Sequence, residues 1–121
     1  MEDALLTYTR PQPCHWWRDA ETEQLLRDVC EEMSLAQGSA ALRLGLRLLA
    51  RKPPTREQIE WGRATGPCTV RSSWREDTSS RATLERYARE YELDQRMVQR
   101  LALRVLADAN GVDIPAAVAV A

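Results

Sequence analysis

The sequence predicts an all-α fold: a compact bundle of about five helices after an irregular N-terminal segment. Apolar residues recur at helical spacing in five separate segments. Prolines, glycines and capping residues divide those segments, and patterns typical of β-strands are nearly absent. A chain of 121 residues suits one helical domain (1–121), with lobes at 1–66 and 67–121 as a conceivable division.

Capping residues set the helix bounds. Asp19 and Asp94 are suitable N-caps, and Thr55 with Gln58 matches the capping box, in which each side chain satisfies a backbone amide of the other residue. Stop signals that follow three of the helices are Pro53-Pro54, Gly66-Pro67 and Asn110-Gly111. The predicted helices cover residues 20–33, 40–52, 55–64, 81–91 and 94–110.

Three segments are expected to lie outside these helices. Residues 1–18 are predicted to be irregular, because Pro11 and Pro13 interrupt backbone hydrogen bonding. Residues 67–80 are rich in Ser and Thr and are interpreted as a loop with at most one helical turn. The tail, residues 112–121, is apolar but short, and it is expected either to pack on the bundle or to fray.

Composition argues against several classes of protein. No apolar run approaches the roughly 20 residues of a membrane span, and no basic segment followed by an apolar stretch begins the chain; a cytoplasmic protein without a membrane partner is therefore expected. The three cysteines are widely spaced and predict neither a disulfide framework nor a metal site. With one histidine, His15, and no glycine-rich phosphate loop, the protein is expected to be non-catalytic and to need no cofactor.

Basic residues are unevenly distributed along the chain. The net charge is −1, yet residues 1–34 hold eight acids and three arginines, whereas residues 35–56 hold five bases and no acid. All but one of the 17 basic residues are arginine, whose planar guanidinium group binds phosphate in a bidentate manner.

Two predicted helices carry arginine at every fourth position: Arg43, Arg47 and Arg51 on one, and Arg96, Arg100 and Arg104 on the other. Such spacing places guanidinium groups about 6 Å apart along one face. Each row could bind a nucleic-acid backbone, or it could form ion pairs within the protein. For the first row, the acidic helix 20–33 is a suitable partner. The second row is flanked by Gln95 and Gln99, and we expect function there.

Residues 84–103, LERYAREYELDQRMVQRLAL, resemble a helix-turn-helix DNA-binding unit. Ala88 takes the small position between the helices, Asp94 caps the second helix, and Val98 and Leu101 are its core positions. Glu92 stands where this family usually has glycine, so positive φ is expected there. The resemblance implies that four side chains face the major groove, where Arg reads guanine and Gln reads adenine: Gln95, Arg96, Gln99 and Arg100.

Two further resemblances concern larger parts of the chain. Residues 23–51 resemble the helical half of a ribbon-helix-helix protein, but the preceding stretch alternates poorly, so the strand of that family is not expected. In size, helical character and basic rows, the chain is similar to the small subunit of CRISPR effector complexes. That resemblance implies sequence-independent backbone contacts with guide RNA or target DNA, inside a larger nucleoprotein.

Three functions therefore stay open at this stage. The chain is a helix-turn-helix protein that binds DNA as a homo-oligomer, a subunit of a nucleoprotein complex that contacts DNA or RNA, or a protein–protein adaptor. The four tryptophans could stack on unpaired bases, although in a chain without phenylalanine at least two are expected in the core. They are Trp16, Trp17, Trp61 and Trp74.

Overall fold

The computed structural model describes residues 12–115, which form five helices and one two-stranded antiparallel sheet. The elements are β1 (Gln12–Arg18), α1 (Ala20–Met33), α2 (Gly38–Arg51), α3 (Arg56–Arg63), β2 (Val70–Glu76), α4 (Thr78–Glu90) and α5 (Gln95–Ala109). The prediction of a mainly helical protein is confirmed, but the sheet makes the all-α description only approximate.

The sheet lies in two segments for which no strand was expected. Residues 12–18 were predicted to be irregular and residues 67–80 to be a loop, yet β1 and β2 pair with Trp17 opposite Arg71 and His15 opposite Ser73. Alternation was hard to recognise because the inner face carries buried Arg18 as well as tryptophan, while the outer face carries a tryptophan of its own.

Local capping signals located the helix starts well. The Asp19 carboxylate accepts a hydrogen bond from the Thr22 amide at 2.9 Å, and the predicted capping box at the start of α3 is present. Helix α4 begins at Thr78 rather than at residue 81, because Asp77 caps it. Glu92 has the expected positive φ, at 54°.

Helix α5 is the central element of the fold. It contacts the other four helices and β1, and the side chains of Leu101, Ala102 and Leu103 on its successive sides are completely buried. Helix α4 is tied to α2 separately, since the Tyr87 hydroxyl donates a 2.6 Å hydrogen bond to the carbonyl oxygen of Leu49. The core therefore forms around α5, and the other elements surround it.

The chain after α5 packs partly against this core. Val112 and Ile114 are half-buried against it, while residues 116–121 of the expected tail, like residues 1–11 of the expected irregular segment, lie outside the described residues. Within residues 12–115, no helix combines the length and apolar character that crossing a membrane requires.

Glycine at position 45 allows α2 and α5 to approach closely. A Cβ atom built there would overlap the carbonyl oxygen of Ala102 and would lie 2.7 Å from its carbonyl carbon. The obstacle is backbone, which no side-chain rotation can relieve.

We predict that Gly45→Ala destabilises the fold by about 1–3 kcal/mol, as overpacking does, although alanine is the better helix former. Urea unfolding measures the change. Gly38→Ala is the matched control in the same helix, because its new methyl group would meet only the flexible end of Leu26, at 3.0 Å. Equal stability of Gly45→Ala and wild type would show that the two helices do not pack this closely.

Candidate nucleic-acid interface

Arg100, in the second arginine row, is buried rather than exposed, with 2% of its surface accessible. Its Nη1 atom lies 3.1 Å from both carboxylate oxygens of Asp19 and donates to the Thr22 hydroxyl at 2.7 Å. Nη2 contacts Glu21 at 2.5 Å, and Nε donates to the carbonyl oxygen of Trp61 at 2.7 Å. The guanidinium carbon also lies 3.6 Å from the centroid of the Trp61 ring. All three nitrogen atoms of this cation therefore bind groups of the protein itself.

Asp19 links this cation to other parts of the fold. The carboxylate that caps α1 also accepts a 2.7 Å hydrogen bond from the Gly66 amide, in the segment after α3. Burial alone would raise the pKa of Asp19, but hydrogen bonds from Thr22 and Gly66 and the charge of Arg100 lower it below the ordinary value. The carboxylate therefore stays ionised beside Arg100.

The two remaining arginines of the second row differ in their exposure. Arg104 is buried against Glu57, at 2.8 Å, and Asp108, at 3.0 Å. Gln95 and Arg96 are exposed in the first turn of α5, and Arg96 pairs with neighbouring Asp94 at 3.2 Å. The arginines of the second row are thus engaged in ion pairs within the protein.

Burial corrects the expectation that Gln99 and Arg100 face a major groove. Gln99 is completely buried, and neither atom of its amide has a hydrogen-bond partner among the described residues. Both side chains point into a core formed on all sides of α5. To read bases with them, α5 would have to leave its place at the centre of the fold.

The first arginine row, in contrast, lies on the surface. Arg47 and Arg51 are exposed and Arg43 is half-buried; among residues 12–115, none of the three has a carboxylate within 4.0 Å. The alternative in which this row pairs with the acidic helix α1 is not formed: Glu21 binds Arg100 and Glu23 binds Arg18, and no acid of α1 lies within 4.0 Å of the row.

The outer face of the sheet continues this basic surface. Trp17 is 42% exposed, and Arg71, opposite it, has its guanidinium carbon 5.5 Å from the ring centroid. Of the described side chains of both strands, those on this face include no carboxylate; the others are the exposed His15, Ser73 and Arg75. Arg71 and Arg75 were not among the predicted site residues, because residues 67–80 were expected to form a loop.

The two surfaces meet where Arg43 donates a 3.3 Å hydrogen bond from Nη1 to the carbonyl oxygen of Arg75. Asp77 lies near this junction, and its pKa is lowered by hydrogen bonding from Ser80 and further by the charges of Arg47 and Arg43. We refer to the joined surface as the α2–sheet face. It comprises Arg43, Arg47 and Arg51 of α2 with His15, Trp17, Arg71, Ser73 and Arg75 of the sheet.

The tryptophans divide as the composition suggested. Trp16 and Trp74 are buried in the core, at 1% and 3% exposure, which confirms the expectation for at least two of the four. Trp61 is half-buried under Arg100. Trp17 is the large hydrophobic side chain that is exposed among the described residues.

Comparison with known proteins gave no relative. No protein-family model matches the chain, and neither the curated proteins nor the solved structures contain a significant match.

Among residues 12–115, no group of three or more His, Cys, Asp or Glu side chains is arranged to hold a metal ion.

The order β1, α1, α2 bears on the ribbon-helix-helix resemblance. The strand that the sequence did not predict directly precedes the two helices, but it pairs with β2 of the same chain. That pairing differs from the pairing across a dimer that the resemblance implies.

We predict that Arg100→Ala destabilises the protein by about 3–5 kcal/mol, because it leaves buried Asp19 and Glu21 without their cation. Arg100→Lys should recover little of the lost stability, since an ammonium group lacks the fork that reaches several acceptors and the planar surface that stacks on Trp61. Chemical denaturation measures both variants. The control, Arg96→Ala on the exposed turn of the same helix, should change stability by less than about 0.5 kcal/mol. A small effect of Arg100→Ala would contradict its structural role.

Proposed function

We propose that this protein is a non-catalytic nucleic-acid-binding protein that contacts the phosphate backbone through the α2–sheet face. The observation that supports it most is the contrast between the two arginine rows. Arg100 and Arg104 bind acids of the same chain, whereas among residues 12–115 no carboxylate lies within 4.0 Å of Arg43, Arg47 or Arg51. An external anion would bind the arginines of the first row in place of such a carboxylate.

Energetics favour an anionic ligand for this row. Like charges four residues apart on a helix repel each other by a few tenths of a kcal/mol, and a row of phosphates would relieve that repulsion while releasing counterions. The spacing of about 6 Å between the Cβ atoms of successive arginines suits contacts along a backbone rather than a single small anion. Binding of this kind does not depend on base sequence.

Near-neutral net charge favours action within an assembly. With a net charge of −1, the chain gains no general attraction to nucleic acid, and one face supplies few contacts. A homo-oligomer or a larger nucleoprotein complex would multiply them. A CRISPR effector complex is one assembly of this type; in it this chain would be the small helical subunit that contacts guide RNA or target strand.

A protein–protein adaptor is the second candidate, favoured by the exposure of Trp17. Tryptophan and arginine are enriched among the residues that dominate binding energy at protein interfaces, and an acidic partner surface could pair with the same arginines. Competition separates the candidates: poly-glutamate should displace nucleic acid poorly from a phosphate-binding face, and well from a face that binds any polyanion.

We predict that replacing Arg43, Arg47 and Arg51 together by Ala weakens nucleic-acid binding at least about tenfold at about 50 mM salt. Loss of three phosphate contacts should also reduce the slope of log K against log salt by about 2 to 3. Fluorescence anisotropy with labelled DNA and RNA of about 20 nucleotides measures both quantities.

The control removes the same number of arginines elsewhere: the exposed Arg27, Arg56 and Arg86, which pair with acids one turn away on α1, α3 and α4. Both triple variants change the net charge by the same amount. If they weaken binding equally, net charge rather than the α2–sheet face governs it; if the wild type binds neither DNA nor RNA, the proposal fails.

A further inference from the structure

We infer that the ligand of the α2–sheet face is a single-stranded nucleic acid, with one unpaired base stacked on Trp17 and the neighbouring phosphates against arginine. This inference rests on the proposed function and names the class of nucleic acid. Whether the strand is RNA or DNA is decided by the experiment, since both offer the same bases and phosphates to this face.

The register of the sheet explains why Trp17 is exposed. Neighbouring strand residues point to opposite faces, so Trp16 enters the core while Trp17 stands on the outer face, opposite Arg71. An indole left 42% exposed keeps much apolar surface in water, at about 25 cal/mol per Å². A planar ligand that covers it would recover this free energy.

The contact between Arg71 and Trp17 is loose enough to be exchanged. The guanidinium carbon of Arg71 lies 5.5 Å from the ring centroid, whereas that of buried Arg100 lies 3.6 Å from the ring of Trp61. An exposed cation–π contact stabilises by only about 0.5–1 kcal/mol, less than the roughly 1–3 kcal/mol per base stacked on an aromatic side chain. A base can therefore replace Arg71 and leave its guanidinium group for the adjoining phosphate.

The positions of the arginines around the Trp17 indole suit a nucleic-acid strand that crosses the outer face of the sheet. Arg71 and Arg75 are two pleats apart on the outer face of β2, about 14 Å at the usual rise of a strand. The carbonyl oxygen of Arg75 holds Arg43, and from there the row on α2 continues to Arg47 and Arg51. Cations thus lead away from the indole without a carboxylate on the outer face of the sheet.

Base pairing determines whether a base can stack on Trp17, and this distinguishes a single strand from a duplex as the ligand. In a duplex both faces of each base are covered by stacking, so a protruding indole reaches base edges, sugar and phosphate but no base face; unpaired bases leave their faces free for aromatic side chains. The arginine row would serve either form, but Trp17 adds affinity for the single strand alone.

The test compares Trp17→Ala and Trp17→Phe with wild type, using labelled oligo(dT), oligo(U) and a duplex of about 20 nucleotides each. Trp17→Ala should weaken single-strand binding at least about fivefold and change duplex binding less than twofold, and Trp17→Phe should restore most of the loss. Arg89→Ala, which removes an exposed cation near the far end of α4, should affect neither. Thermal unfolding should show every variant folded at the temperature of the titrations, so that a loss of binding is not a loss of folding.

Each other result has a definite meaning. If the wild type binds single strand and duplex equally and Trp17→Ala alters neither, the inference is wrong while phosphate binding by α2 stands. If Trp17→Ala weakens both forms equally, or if poly-glutamate competes as well as oligo(dT), the indole does not stack on bases and the inference is overturned. If no nucleic acid binds, the proposed function and the inference fail together.

Discussion

The buried cation of Arg100 is the interaction on which the rest of this fold depends. Its guanidinium group joins α5 to the start of α1 through Asp19 and Glu21, and to α3 through Trp61. A buried charge is costly unless every donor finds an acceptor, so these elements can pack only in the arrangement that completes the set. The contacts of Arg100 thereby fix the position of α5, the helix that the other four helices contact.

This pairing also determines which arginines are left for a ligand. The acids at the start of α1 bind one cation of α5, and Glu57 and Asp108 bind another, Arg104. Helix α2 then packs its apolar side on α5 and turns its arginines outward, beside the outer face of the sheet. Two rows that look alike in the sequence therefore differ in the structure: acids of the same chain bind most of one row, and the other row is left for the proposed ligand.

Local signals in the sequence were sufficient for most helices and insufficient for the site. Asp19, Thr55 and Asp94 marked helix starts because a cap is formed by neighbours in the chain. Strands β1 and β2 depend on pairing across more than 50 residues, and Arg18 inside the pleat hid their alternation. Burial of Arg100 also depends on distant residues. One signal was present, since apolar residues on successive sides of α5 are typical of a central helix.

The most direct test of the binding surface is a ¹H–¹⁵N NMR titration of the protein with oligo(dT), observing the arginine Nε–H and tryptophan indole signals. We expect shifts for Arg43, Arg47, Arg71 and the Trp17 indole, and an unchanged signal for Arg100. Shifts concentrated at Arg100 and at the side-chain amide of Gln99, with the α2 and sheet signals unmoved, would contradict it and place recognition on α5.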